Sequence, residues 1–68
     1  MSTIWIRERC DIGLLREAFP GVMRVSPDLD REGFGAYSVP FFWKEDIQRC
    51  LIDTGIIEAS FNPNQLPS

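Results

Sequence analysis

The chain has no histidine, and its two cysteines, Cys10 and Cys50, form no CxxC pair. Without an imidazole, a nucleophile such as Cys10, Cys50 or Ser38 lacks its usual base. A zinc site of the common Cys/His kind has no ligand set either. The glycines suit phosphate badly: "GFG" at Gly33 to Gly35 is too short and leads no strand into a helix. "DLDRE" at Asp28 to Glu32 lacks the glycine and the distal glutamate of a calcium loop. Positive charge is scarce, with 7 Lys and Arg against 10 Asp and Glu and a net charge of −3. A surface built mainly to neutralise phosphates normally carries a basic patch, so this balance argues against one. No 18-residue apolar run occurs, and the opening "MSTIWIRER" has no long apolar core. The expectation is a non-enzymatic chain with no cofactor, no metal, no membrane span and no secretory leader.

What is present suffices for one core. The chain has 68 residues, 44% of them hydrophobic, with two Trp, one Tyr and five Phe, which argues for a folded single domain and against disorder. A domain this small buries about 60% of the surface its unfolded chain exposes, which leaves a narrow margin of stability. Two cysteines do not make a disulfide framework. Both read as reduced, partly buried thiols of a cytosolic protein, with a Cys10–Cys50 bridge as the alternative.

The hydrophobic period changes along the chain. Thr3 to Arg9 alternates and is rich in β-branched and aromatic residues, so it predicts a strand. Asp11 is a candidate N-cap, and Ile12, Leu15 and Phe19 share one helical face before Pro20 and Gly21 end the helix. Val22 to Ser26 predicts a second short strand, and Phe34 to Val39 a third, joined by the polar turn Pro27 to Gly33. Pro40 can open a second helix over "FFWKEDIQRCLIDTG", with Trp43, Ile47, Cys50 and Leu51 as its apolar stripe and Gly55 at its end. Ile56 to Phe61 predicts the last strand, and residues 62–68 a frayed polar tail after a single domain over 1–61. The order β-α-β-β-α-β resembles the compact ferredoxin-like α+β plan, which implies an antiparallel sheet with both helices on one face.

Period-2 alternation then assigns the faces. The helix side should receive Ile4, Ile6, Met23, Val25, Tyr37, Val39, Ile57, Ala59 and Phe61. The open side should show Trp5, Arg7, Val22, Arg24, Phe34, Ala36, Ile56 and Glu58. On that side "REGFGAYSV", Arg31 to Val39, resembles a reduced form of the third-strand motif of RNA-recognition domains. Gly33, Phe34 and Gly35 match; Glu32, Ala36 and Val39 stand where the motif has a basic residue and two aromatics. The resemblance implies a single-stranded nucleic-acid site using Trp5 and Phe34 for stacking, with Arg7 and Arg24 on phosphates. The other reading is that Gly33 closes a turn and Gly35 admits a neighbouring side chain or backbone.

Acidic residues form the second candidate. Asp28, Asp30 and Glu32 sit on the hairpin loop, and Glu45 and Asp46 at the start of the second helix. Three successive aromatics cannot all face inward, so Phe41 or Phe42 lies at the edge of the core, and Phe42 is the candidate anchor beside those carboxylates. A short, acidic chain with aromatics near its carboxylates and no catalytic set resembles, in size, charge and plan, the small inhibitors of phages and mobile elements, anti-CRISPR proteins first among them. That resemblance implies steric blocking or nucleic-acid mimicry in a bacterial cytoplasm. Asp28, Asp30, Glu32, Glu45 and Asp46 would then take Lys/Arg positions that normally hold phosphate on a larger protein, such as a CRISPR effector subunit. A monomer is the expected state.

Overall fold

The alternation of the N-terminal segment produces β1, Ser2–Arg7, in a computed structural model that describes residues 1–66. Helix α1, Ile12–Ala18, starts at Asp11, whose Oδ1 accepts the Gly13 N–H at 2.9 Å. The short strand β2, Met23–Arg24, leads into a 3-10 turn at Pro27–Leu29. Strand β3, Phe34–Val39, has the predicted bounds. Beyond it the chain is helical in three gauges: a 3-10 turn at Phe41–Trp43, helix α2 at Lys44–Ile47, and a π turn at Gln48–Ile52. Strand β4, Ala59–Ser60, is the last element.

The four strands form one sheet in the order β2-β3-β1-β4, with every neighbouring pair antiparallel. The long central pair runs Ser2 opposite Val39 through Arg7 opposite Phe34. One side carries the main core, where Leu15 and Phe19 from α1 and Ile47 and Leu51 from the second helical segment pack with Ile4, Ile6, Val39 and Ala59 of the sheet. Ile4, Ile6, Leu15, Val39 and Ile47 are fully buried, and burying each such side chain contributes about 1.5–3 kcal/mol. The chain is thus an α+β protein with both helices against the same side of an antiparallel sheet.

Four expectations are corrected. The phase of β2 is inverted: Val22 is in the main core, Met23 is 64% exposed, and Val25 packs on the opposite side. Arg24 lies opposite Tyr37 on the helix side, not on the open side. The turn at Gly21, with φ of +109°, sets that phase, and two paired residues are too few for alternation to reveal it. The second helix is not uniformly α. Its π turn, closed by the Asp53 N–H donating to Gln48 C=O at 2.8 Å, widens the helix and leaves Cys50 exposed while Leu51 stays buried. The last strand pairs over two residues rather than six.

The fourth correction concerns the open side, which is covered. Trp5, Phe34 and Ala36 form a second buried cluster, with Val25 and Leu66 packed against it. The Pro27–Leu29 turn is tied across it, because Trp5 Nε1–H donates to Leu29 C=O at 2.8 Å. The expected tail over 62–68 thus contributes Leu66 to this cover, while residues 67 and 68 lie outside the described residues.

Candidate interaction surface

The two acidic groups sit at opposite ends of β3. At its start, Arg31 and Phe34 close a tight hairpin: Phe34 N–H donates to Arg31 C=O at 2.5 Å and Arg31 N–H to Phe34 C=O at 3.0 Å. Its central residues, Glu32 and Gly33, have φ of +32° and +85°. Positive φ at both central positions is what a type I′ turn requires, and it follows the twist of the strands. Gly33 therefore closes a turn, as one of the two readings of "REGFGAYSV" has it.

Asp30 belongs to the fold rather than to the free surface. Its carboxylate takes a forked pair of hydrogen bonds from Arg24, Nη1 at 2.9 Å and Nη2 at 2.5 Å, and Oδ1 also accepts the Ala36 N–H at 3.0 Å. The Arg24 guanidinium, and after it the Ala36 N–H, hold the Asp30 carboxyl below its ordinary value, and Asp30 raises Arg24 in return. Arg24 Nη1 also donates to Ala36 C=O at 3.2 Å, and its guanidinium lies 5.2 Å from the Tyr37 ring centre. Gly35 makes the crossing possible, since a Cβ there would stand 2.5 Å from Arg24 Nη1. Asp28 and Glu32 are exposed and make no ion pair among the described residues.

The aromatic side offers no open ring. Trp5 is 8% exposed and Phe34 is 2% exposed. The Arg7 guanidinium covers Phe34, 4.5 Å from its centre, and Arg7 Nε is paired with Glu58 Oε2. Glu58 bridges to Arg9 as well, and Arg9 first and Arg7 second hold its carboxyl below the ordinary value. The structure brings Trp5, Arg7 and Phe34 together as the sequence suggested, but it sends Arg24 to the other side and closes the strap over the rings. A base could stack there only after the Pro27–Asp30 segment lifted.

At the far end of β3 the arrangement is the reverse. Pro40 ends the strand, and the 3-10 turn that follows rotates Trp43 inward against Phe19, ring centres 5.7 Å apart. Phe41 and Phe42 are turned out, 72% and 68% exposed, although Phe42 keeps an edge contact with Trp43 at 5.3 Å. Glu45 and Asp46 follow in the first turn of α2, exposed and without an ion pair among the described residues. Gly21 packs beside Trp43 and Pro40, so exposed Met23, two residues on, belongs to the same end of the molecule. Trp43 fixes the geometry: it docks into the core and thereby fixes which way its two neighbours point.

Phe42, Glu45 and Asp46 are thus brought together, whereas Asp28, Asp30 and Glu32 lie elsewhere, with Asp30 internally paired. Sequence reasoning put Met23 inside, and it placed only one of Phe41 and Phe42 at the edge of the core, with Phe42 as the anchor, whereas both are turned out. The signal for Phe41 was available, because a residue between Pro40 and the inward Trp43 has no core position to fill. Comparison of the chain with known protein families, with curated proteins and with solved structures finds no match.

Proposed function

We propose that this chain is a non-enzymatic binding protein of a phage or mobile element, an inhibitor of the anti-CRISPR type. It acts as a monomer in the cytoplasm of a bacterial host and covers a basic, nucleic-acid-binding surface on a larger protein, such as a CRISPR effector subunit. One observation carries the reading: Phe41 and Phe42 are 72% and 68% exposed beside two carboxylates, Glu45 and Asp46, that have no ion-pair partner among the described residues. Aromatic side chains dominate binding hot spots, and a cluster of them left exposed on a small domain marks an interaction site. The adjoining carboxylates complement a Lys/Arg rim and take positions that phosphates would occupy.

The ferredoxin-like plan belongs to the same proposal. It is supported by a sheet with β1 and β3 central, β2 and β4 at the edges, and both helices on one side. In this reading the sheet is a rigid base, and the aromatic turn at the end of β3 is the working surface. Asp28 and Glu32 join the contact on a partner that spans β3, a length of about 20 Å.

Capture from bacterial lysates tests the reading, with the wild-type chain and the double variant Phe41→Ser/Phe42→Ser run side by side and nuclease added to both. The expected result is a stoichiometric, nuclease-resistant nucleic-acid-handling protein on the wild type, at least about 30-fold depleted on the variant. The captured complex should also lose its own nucleic-acid binding. Equal capture by the two chains, or a partner that still binds nucleic acid, overturns the proposal.

A further inference from the structure

We propose that residues 26–30 form a latched strap, which opens as one unit while the main core stays folded, with the Asp30 carboxylate as its latch. Opening uncovers a surface that the closed form hides. The inference does not rest on the function proposed for Phe41 and Phe42.

The edge of β3 shows what the latch replaces. Strand β3 has six residues, but β2 pairs with it over two, Met23 opposite Ser38 and Arg24 opposite Tyr37. Hydrogen-bonding groups alternate from side to side along an antiparallel strand. Phe34, Ala36 and Ser38 turn theirs toward the β2 edge. Ser38 lies opposite Met23 of β2, and Phe34 bonds both ways with Arg31. Ala36 falls between them, just past the end of β2. Its C=O accepts the Val25 N–H at 3.2 Å, and its N–H donates to a side chain, Asp30 Oδ1 at 3.0 Å. The Asp30 carboxylate thus stands in for the next residue of β2, and the Arg24 guanidinium holds it there.

The strap is bonded within itself. Asp28 N–H donates to Ser26 Oγ at 3.3 Å, Leu29 N–H to Ser26 C=O at 3.1 Å and Asp30 N–H to Pro27 C=O at 3.0 Å. These bonds survive a displacement of the whole segment. Residues 26–29 are exposed, Leu29 at 43%, so burial of the strap's own side chains contributes little to closure. Polar ties hold it instead, and they gather on two residues. Leu29 C=O takes the Trp5 indole N–H, while Asp30 takes the Ala36 N–H and Arg24.

The main core does not need the strap. It lies on the far side of the sheet and shares no buried residue with the Trp5, Phe34 and Ala36 cluster. A segment held by few buried contacts opens below the free energy of global unfolding. With the strap lifted, Trp5 loses the cover that leaves it 8% exposed, and the Ala36 N–H comes free at the adjoining edge. A surface of this kind exists only in the minor form, and anything that binds it draws the strap open.

Native-state hydrogen exchange read by NMR tests the device, because two protons on different strands report on it. The Trp5 indole N–H of β1 and the Ala36 amide N–H of β3 both donate to the strap. One concerted opening gives them the same opening constant, within about threefold, and little response to low urea. The Ile4 and Ile6 amides of the central pair should be at least about tenfold better protected and respond to urea as global unfolding does. Asp30→Ala should raise the opening constant at Trp5 about tenfold, although that indole bonds Leu29 rather than Asp30. Asp30→Asn keeps an acceptor for Ala36 and should give a milder rise at Trp5, about threefold. Unequal constants at Trp5 and Ala36 in the wild type, or exchange of both only together with Ile4 and Ile6, overturn the strap as a unit. Faster exchange at Ala36 with Trp5 unchanged in either variant overturns Asp30 as its latch.

Discussion

The two acidic segments differ in what their charge is doing. At the hairpin end, Asp30 is held by Arg24 and by the Ala36 N–H, and its carboxylate helps tie a strap over the buried Trp5–Phe34 side. At the helix end, Glu45 and Asp46 make no ion pair among the described residues and follow two aromatic rings that the core has excluded. One carboxylate is tied into the fold by Arg24 and the Ala36 N–H; the other two make no ion pair among the described residues. Acidic composition therefore does not map a binding surface until each carboxylate has been set against the arginines that can reach it.

The largest effect expected from this difference is on binding. Glu45→Lys with Asp46→Lys brings like charge against a basic partner, which costs roughly 2–3 kcal/mol and weakens binding by about 30- to 150-fold at low salt. Asp28→Lys with Glu32→Lys should change the same affinity by no more than about threefold, as rim charges do. Titration of the captured partner at two salt concentrations separates the pairs. Equal losses for both pairs would abolish the distinction and give the hairpin carboxylates the same weight in the contact as the helix pair.

The next effect is on stability, and it belongs to the hairpin end. Asp30 and Glu58 both have carboxyls held below their ordinary values in the folded chain. A carboxylate lowered on folding contributes stability that is present above its unfolded value and lost as pH falls through its folded value. Stability should therefore hold near neutrality and fall below about pH 4, where unfolded carboxylates titrate. Asp30→Asn should lower stability at pH 7 and flatten part of that acid fall. Urea midpoints from pH 2 to pH 7 read both. Parallel curves for wild type and Asp30→Asn would show that the Arg24 pair is not a stabilising tie.

How much of this was legible follows from the range of the interactions involved. The bounds of β3, the Asp11 cap, the turn at Gly33 and the end of the helical segment at Gly55 depend on neighbours within a few residues, and the sequence carries them plainly. The crowding at Gly35 was anticipated as a close approach, although the side chain that approaches, Arg24, was not. What escaped depends on contacts distant in sequence. The phase of β2 is set by a glycine turn and only two paired residues, so alternation had too few positions to count. The cover over Trp5 and Phe34 comes from Leu29 and Leu66, 24 and 61 positions from Trp5 along the chain. Nothing in the period of β1 or β3 signals such a strap. The π turn at Gln48–Ile52 likewise leaves no mark in the apolar spacing, and a helical wheel drawn at 3.6 residues per turn mislocates Cys50 for that reason.

The smallest effect sharpens the comparison within the hairpin itself. Glu32 is the one described non-glycine residue with positive φ, at +32°. A glutamate gains nothing from that conformation, whereas asparagine tolerates it because its short polar side chain bonds locally. Glu32→Asn should therefore raise stability by about 0.5–1 kcal/mol, a few degrees of Tm for a domain of this length. Glu32→Gln removes the same charge without relieving the backbone, so it should leave Tm unchanged. Thermal melts of the two variants separate turn conformation from surface charge. A gain with Asn alone assigns the effect to the turn, and Glu32 is then held there against its conformational preference. Equal gains would trace the effect to repulsion among Asp28, Asp30 and Glu32, and the hairpin carboxylates would then act on one another as well as on Arg24.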